Sequence, residues 1–322
     1  MAERMQWVLF EWRSAHLVLP AAVGLVLLAA FYATGAFHTE NYPYYFGNRQ
    51  EFIGMTLLFV LMPPYTLFAL ITGMRQSLTL ARTLDNTSGT RLEPEVRSFP
   101  PGLMLGFAAL GALYAITLNI PDYGLTFFEV DTVAKATILG QLMVWTIMGL
   151  FLPIRFRVAW AFNMAGNKVP IDIFETGGLR PFARNGLVDV LIVSGAIVLS
   201  AVQSLDLSFR LDNYSKAMVI ALPSIVVLAL LPMWQLHKRM AVERQQQLDA
   251  LNEKIRAASK EIDTVHIEAL EILLQRRERV LAAPTWPVDI KIIQRFLFYI
   301  VIPPLAWVGA ALVEMVIDGF IS

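Results

Sequence analysis

LHKRMAVERQQQLDALNEKIRAASKEIDTVHIEALEILLQRRERVLAAPTWPVDI, residues 236–290, is the stretch whose reading decides the fold. It is polar from Leu236 to about Ala282 and breaks at Ala283-Pro284-Thr285-Trp286-Pro287; a last apolar run, Ile292 to Ile317, follows. Within it Leu248, Leu251, Ile255, Ala258, Ile262, Val265, Ala269 and Ile272 recur at alternating steps of three and four, the seam of a coiled coil. A single straight helix over this range would end about 60–70 Å from its start, at about 1.5 Å per residue. The residues from Ala282 to Lys291 reach at most about 3.5 Å each and could not bring the chain back. The stretch must therefore fold on itself. Ala257-Ala258-Ser259 is the expected turn, with Ser259 capping a second arm whose first turn holds Glu261 and Asp263. The arms run from about Leu236 to Ala257 and from about Lys260 to Leu281. His237, Lys238 and Arg239 start the first arm, and Arg276, Arg277 and Arg279 finish the second, so both basic ends face anionic headgroups. The hairpin is expected to pack on itself or on a sister subunit; a docking site for a separate cytoplasmic protein is the alternative.

Upstream of this stretch the chain reads as membrane spans. Of its 322 residues 56% are hydrophobic and 16% charged, against about a quarter charged in soluble domains. Net charge is zero and no basic domain stands out, which argues against a nucleic-acid partner. The absence of cysteine excludes disulfides, thiolate metal sites and a cysteine nucleophile. The N-terminal run MAERMQWVLFEWRSAH reads as an interfacial lead-in to an uncleaved first span.

The expected spans are Leu17 to Phe37, Phe52 to Gly73, Gly102 to Ile120, Ala136 to Phe162, Gly186 to Leu205, Ala217 to Gln235 and Ile292 to Ile317. Met74 to Pro101 reads as a polar loop with a turn at Asn86-Thr87-Ser88-Gly89. The fold class is thus all-α, a polytopic membrane protein of about seven transmembrane helices, with a cytoplasmic helical hairpin between spans 6 and 7. Residues 1–235 form the membrane domain of spans 1–6, 236–290 the hairpin, and 291–322 span 7 with a short outer tail. Arg4, Arg13, Arg75 to Arg97, Arg155, Arg157, Lys168, Arg180, Arg184 and the basic hairpin ends fall on one side. Only Arg49, Lys135, Arg210 and Lys216 fall on the other, which places the N-terminus and hairpin in the cytoplasm and the C-terminus outside.

Catalytic signatures are missing. No His-Glu-x-x-His, Gly-x-Ser-x-Gly, P-loop or Gly-x-Gly-x-x-Gly occurs, and His16, His38, His237 and His266 lie in separate segments. Neither an enzyme nor a bound cofactor or metal is expected. Ionisable side chains look almost absent from the spans, which argues against proton coupling. Three features carry functional expectations. Pro63-Pro64 and Pro303-Pro304, each near the middle of its span, remove backbone donors and are expected to break their helices. Trp307, with Glu314 and Asp318 one turn apart, forms one face of span 7 suited to an axial pore with a cation-attracting mouth. Trp286, Pro287, Arg180 and Arg184 are interfacial anchors, the arginines within an amphipathic connection from Pro170 to Gly186.

The run Ile171 to Leu187, containing Leu179-Arg180-Pro181-Phe182-Ala183-Arg184-Asn185-Gly186-Leu187, resembles one in uncharacterised polytopic membrane proteins of proteobacteria. So do Arg276-Arg277-Glu278-Arg279, Trp286-Pro287-Val288-Asp289, Arg295-Phe296-Leu297-Phe298-Tyr299 and the run from Ile302 to Glu314. That resemblance covers the C-terminal half and implies a bacterial inner membrane, without an activity. In topology alone the seven-span plan is similar to insect odorant and gustatory receptor channels, whose span 7 lines the pore of a tetramer. The leading expectation is an oligomeric channel with span 7 at its axis. A non-conducting scaffold or sensor and a small-molecule transporter are the alternatives, and a buried polar cavity within one subunit would favour the transporter.

Overall fold

Met74, Leu78, Ala81 and Leu84 recur at steps of three and four, and all four are buried. They belong to α2, Arg49–Ser88, a single 40-residue helix about 60 Å long. The polar loop expected from Met74 therefore begins only at Gly89, whose φ of 65° ends the helix. Exposed charge obscured the apolar stripe: Arg82 faces outward, while Thr79, Thr83 and Thr87 each hydrogen-bond the carbonyl four residues back, at 2.9–3.0 Å. These back-bonds satisfy the hydroxyls of exposed threonines within the helix itself.

The computed structural model describes residues 14–38, 49–119, 132–204, 211–259 and 264–287, with Trp12, Gln294 and Phe298. The expected span 7, with Pro303, Pro304, Trp307, Glu314 and Asp318, lies outside the described residues. The protein is an all-helical membrane protein. Its elements are α1 (Ala15–Ala33), α2, a short α3 (Leu92–Arg97), α4 (Pro101–Tyr114, continued by a π turn Ala115–Asn119) and α5 (Thr132–Ala165). Then come α6 (Arg180–Ser200, entered through a 3₁₀ turn Thr176–Leu179), α7 (Leu211–Leu230), α8 (Trp234–Ala258) and α9 (Thr264–Ala282). Five helical segments among the described residues are long and apolar enough to cross a membrane: Ala15–Ala33, Arg49–Ser88, Thr132–Ala165, Thr176–Gln203 and Met218–Ala258. Pro101–Thr117 is a shorter apolar helix.

Helix α2 is the centre of the bundle, with α1, α3, α5 and α6 packed on it. It does not break at Pro63-Pro64. Each proline deletes only one backbone bond, and the surrounding contacts hold the rest: Phe59, Val60, Met62 and Pro63 are buried, and Pro64 lies against Gly24 of α1. The expected helix break is thus a proline pair absorbed by packing. Helix α4 sits on α5 through two glycines; a Cβ on Gly111 would come within 2.2 Å of the Trp145 carbonyl oxygen, and one on Gly149 within 2.4 Å of that of Phe107. Small residues here let two backbones touch.

The hairpin forms, with different details. Pro232 lies in a 3₁₀ turn, Leu231–Met233, that joins α7 directly to α8, so span and first arm are almost one rod. The Ser259 hydroxyl donates to the Arg256 carbonyl at 3.0 Å and closes the first arm; the start of the second arm, which Ser259 is expected to cap, lies outside the described residues. The seam also changes. Leu248 and Leu251 pack with Leu273 and Val280, and Ile272 is 66% exposed. A heptad counted through the turn cannot survive the reversal of chain direction, which resets the register of the second arm. Arg277 Nε donates to Asn252 Oδ1 at 3.0 Å and Arg244 Nε to the Val280 carbonyl at 3.1 Å, tying the arms together. At the root, Arg239 donates to the carbonyls of Gly166 (2.6 Å) and Val169 (2.8 Å), and Asn163 accepts the Gln235 N–H at 2.9 Å.

Candidate functional site

Two features were hidden from the sequence reading, and they share one wall. The first is a buried ion pair. Arg155 of α5 and Asp189 of α6 are 0% and 1% exposed, and Arg155 Nε donates to Asp189 Oδ1 at 2.5 Å. Arg155 Nη2 donates to Ser77 Oγ at 3.1 Å, and Nη1 lies 3.7 Å from Met74 Sδ, both on α2. Ser77 Oγ is 2.7 Å from Asn185 Oδ1, and Asn185 Nδ2 approaches Asp189 Oδ2 at 3.5 Å. Gly73 makes the room: a Cβ there would lie 3.3 Å from Arg155 Nη1 and 2.9 Å from Ile192 Cδ1. The cluster is net neutral and pins α2, α5 and α6 together. It corrects two expectations, that Arg155 is a surface charge and that the spans hold almost no ionisable group. Asp189 inside the apolar run Leu187–Leu199 was the available signal, since an intramembrane carboxylate requires a partner.

The second is a half-enclosed cleft of about 1010 Å³ walled by α2, α4, α5, α6 and α7. That is at the upper end of the roughly 300–1,000 Å³ typical of small-molecule pockets. Its depth follows from the helix register. Phe59 packs on Gly140 and Gly73 on Arg155, so α2 and α5 run side by side in one direction. Glu51 and Gln203 line one end of the cleft, Arg157 and Trp160 the other. Along α2 those levels are about 24 residues, or roughly 36 Å, apart. A bilayer has about 30 Å of hydrocarbon and about 40–45 Å with its headgroups. The residues that line the cleft thus spread over a depth comparable with a bilayer.

Its wall is mostly apolar, with the Gln141 side chain as a polar lining group between the ends. The polar side chains between the ends mostly hydrogen-bond backbone: Tyr65 Oη donates to the Ile192 carbonyl (2.6 Å), Thr66 to Met62 (2.8 Å), Ser200 to Ile197 (2.6 Å) and Ser224 to Ile220 (2.7 Å). Leu110, Met148, Phe156 and Ala196 supply the surface between them. Ile192, which lines the cleft, also packs over Gly73 beside Arg155, so the ion pair lies one side chain behind the wall.

Of the expected anchors, Trp286 stacks on His237 with centroids 4.0 Å apart and planes at 15°, and Trp234 meets it edge-on at 6.4 Å. His237 Nδ1 is 2.8 Å from the Thr285 carbonyl, so that nitrogen carries the proton. Pro287 is buried beside this cluster. Arg180 and Arg184 are exposed, one turn apart, while Pro181, Phe182 and Ala183 between them are buried, as an amphipathic element requires. Neither arginine lines the cleft. Among the described residues no three His, Asp or Glu side chains come together as a metal site. No family model, curated protein or solved structure matches the chain.

Proposed function

We propose that this membrane protein takes a hydrophobic or amphipathic small molecule into a cleft within a single subunit, as a transporter or carrier of such molecules. The observation that carries the reading is the bilayer-deep slot of about 1010 Å³, mostly apolar along its length with polar side chains at its two ends. That polarity profile repeats the profile of the bilayer and suits a guest drawn from it. The test is mass spectrometry of the purified protein, with Ala196→Trp and the milder Ala221→Leu, both of which fill the cleft. The wild type should retain a lipid-like molecule that both variants lose; equal retention refutes the reading.

The protein sits in a bacterial inner membrane in this proposal, with the N-terminus and hairpin in the cytoplasm. Lys and Arg asymmetry supports that orientation, and it puts the Arg157 end of the cleft on the cytoplasmic side. A second proposal concerns assembly. Val242, Ile272, Leu274 and Leu281 leave apolar surface on the hairpin exposed, which favours packing against a second copy. A channel with residues 292–317 at its axis requires such a ring. Native mass measurement with and without residues 240–280 decides it: a defined oligomer that dissociates on deletion supports assembly, and a monomer in both forms ends the axial pore.

A further inference from the structure

We infer that the guest is an anionic amphiphile whose headgroup is held by Arg157; the inference rests on the cleft reading above. Arg155 and Arg157 stand two residues apart on α5 and face opposite ways. The first is sealed in the Asp189 pair, and the second lines the end of the cleft. Arg157 Nε donates to the Ser98 carbonyl. That bond fixes the plane of the guanidinium and leaves both η nitrogens without a partner among the described residues. A positioned fork with free donors is the geometry that recognises carboxylate or phosphate.

Nearby carboxylates are already engaged. Glu93 accepts from Arg82 and Arg97, both at 2.9 Å, and Glu95 pairs with Lys168 at 3.6 Å. Trp160, one turn beyond Arg157 and 55% exposed, provides an amphipathic ring at the same level, where a tail would meet its headgroup. The opposite end of the cleft carries Glu51 and Gln203 and, among the described residues, no lysine or arginine. Arg157 is the one Lys or Arg among the described residues that line the cleft, which sets the direction of the guest: anionic head at Arg157, apolar tail along Phe156, Met148 and Ala196. The headgroup chemistry is shared by phospholipid phosphate and fatty-acid carboxylate.

The full chain is titrated with dioleoyl phosphatidic acid, oleate and the neutral dioleoylglycerol, with occupancy read by native mass spectrometry. The wild type should favour both or either anion over dioleoylglycerol by about tenfold or more, the scale of a charge-assisted hydrogen bond. Arg157→Gln should bring the favoured anion down to the neutral lipid while leaving dioleoylglycerol binding intact, which also shows that the variant folds. Arg157→Lys should recover part of the preference, and Arg91→Gln, an exposed arginine away from the cleft, should leave it unchanged. The better anion identifies phosphate or carboxylate as the source. No preference in the wild type, or equal losses in Arg157→Gln and Arg91→Gln, overturns the headgroup assignment alone. Binding of all three that is indifferent to Ala196→Trp and Ala221→Leu, or absent from the wild type, overturns the cleft reading with it.

Discussion

Replacing Asp189 with leucine isolates the energetics of the membrane core. The Arg155 guanidinium is fully enclosed, with Asp189 Oδ1 at 2.5 Å, Ser77 Oγ at 3.1 Å and Met74 Sδ at 3.7 Å as its neighbours. Taking two such charges out of water costs several kcal/mol per ion, which their attraction roughly offsets, so the intact pair is worth little net. Removing one partner strands the other, at a cost of about 3–5 kcal/mol. Asp189→Leu and Arg155→Met should each show that loss. The double variant, apolar and similar in volume, should regain most of it, leaving a strongly favourable coupling in the double-mutant cycle. The measurement is the unfolding free energy in mixed detergent micelles, followed by tryptophan fluorescence. A cost below about 1 kcal/mol for Asp189→Leu, or a double variant as unstable as the sum of the singles, would refute a charged and mutually dependent pair.

Other substitutions test separate parts of the argument. Gly111→Ala and Gly149→Ala must push α4 off α5 and should each cost about 1–3 kcal/mol. Gly106→Ala, where a Cβ meets nothing within 4 Å, should gain about 0.5–1 kcal/mol in the same unfolding assay. Asp85 caps α3 from the end of α2, accepting the Leu92 N–H at 2.7 Å and the Glu93 N–H at 3.0 Å. Asp85→Ala should cost about 0.5–2 kcal/mol and speed proteolysis between Gly89 and Arg91. The Glu93 carboxyl is held below its ordinary range by the Arg82 hydrogen bond first; burial opposes this and Arg97 adds to it. Its contribution to stability is complete above the ordinary glutamate pKa and is lost as pH falls through the lowered value. The thermal midpoint of Glu93→Gln should therefore vary less with pH than the wild type below about pH 4; parallel acid limbs would refute the linkage.

The cleft and its charged neighbour separate what a sequence carries from what folding adds. Apolar run length alone establishes an all-helical membrane protein, because backbone groups in hydrocarbon must be satisfied within helices. Geometry forces the hairpin, since one rod from Leu236 could not return to the bilayer. Run length could not say where α2 ends, because the stripe from Met74 to Leu84 is interleaved with Arg82 and threonines that face outward. Nor could it foresee that Pro63-Pro64 would stay helical, which depends on α1 and buried neighbours on α2. Arg155 and Arg157 make the contrast sharpest. Composition treats them alike, as two basic residues after Pro153. Only the rotation of α5 against α6 turns one toward Asp189 and the other toward the cleft, because 3.6 residues per turn puts positions two apart on opposite faces. Local pattern determined that the chain enters a membrane; the packing of helices distant in sequence decided which charges are neutralised and where a guest could enter.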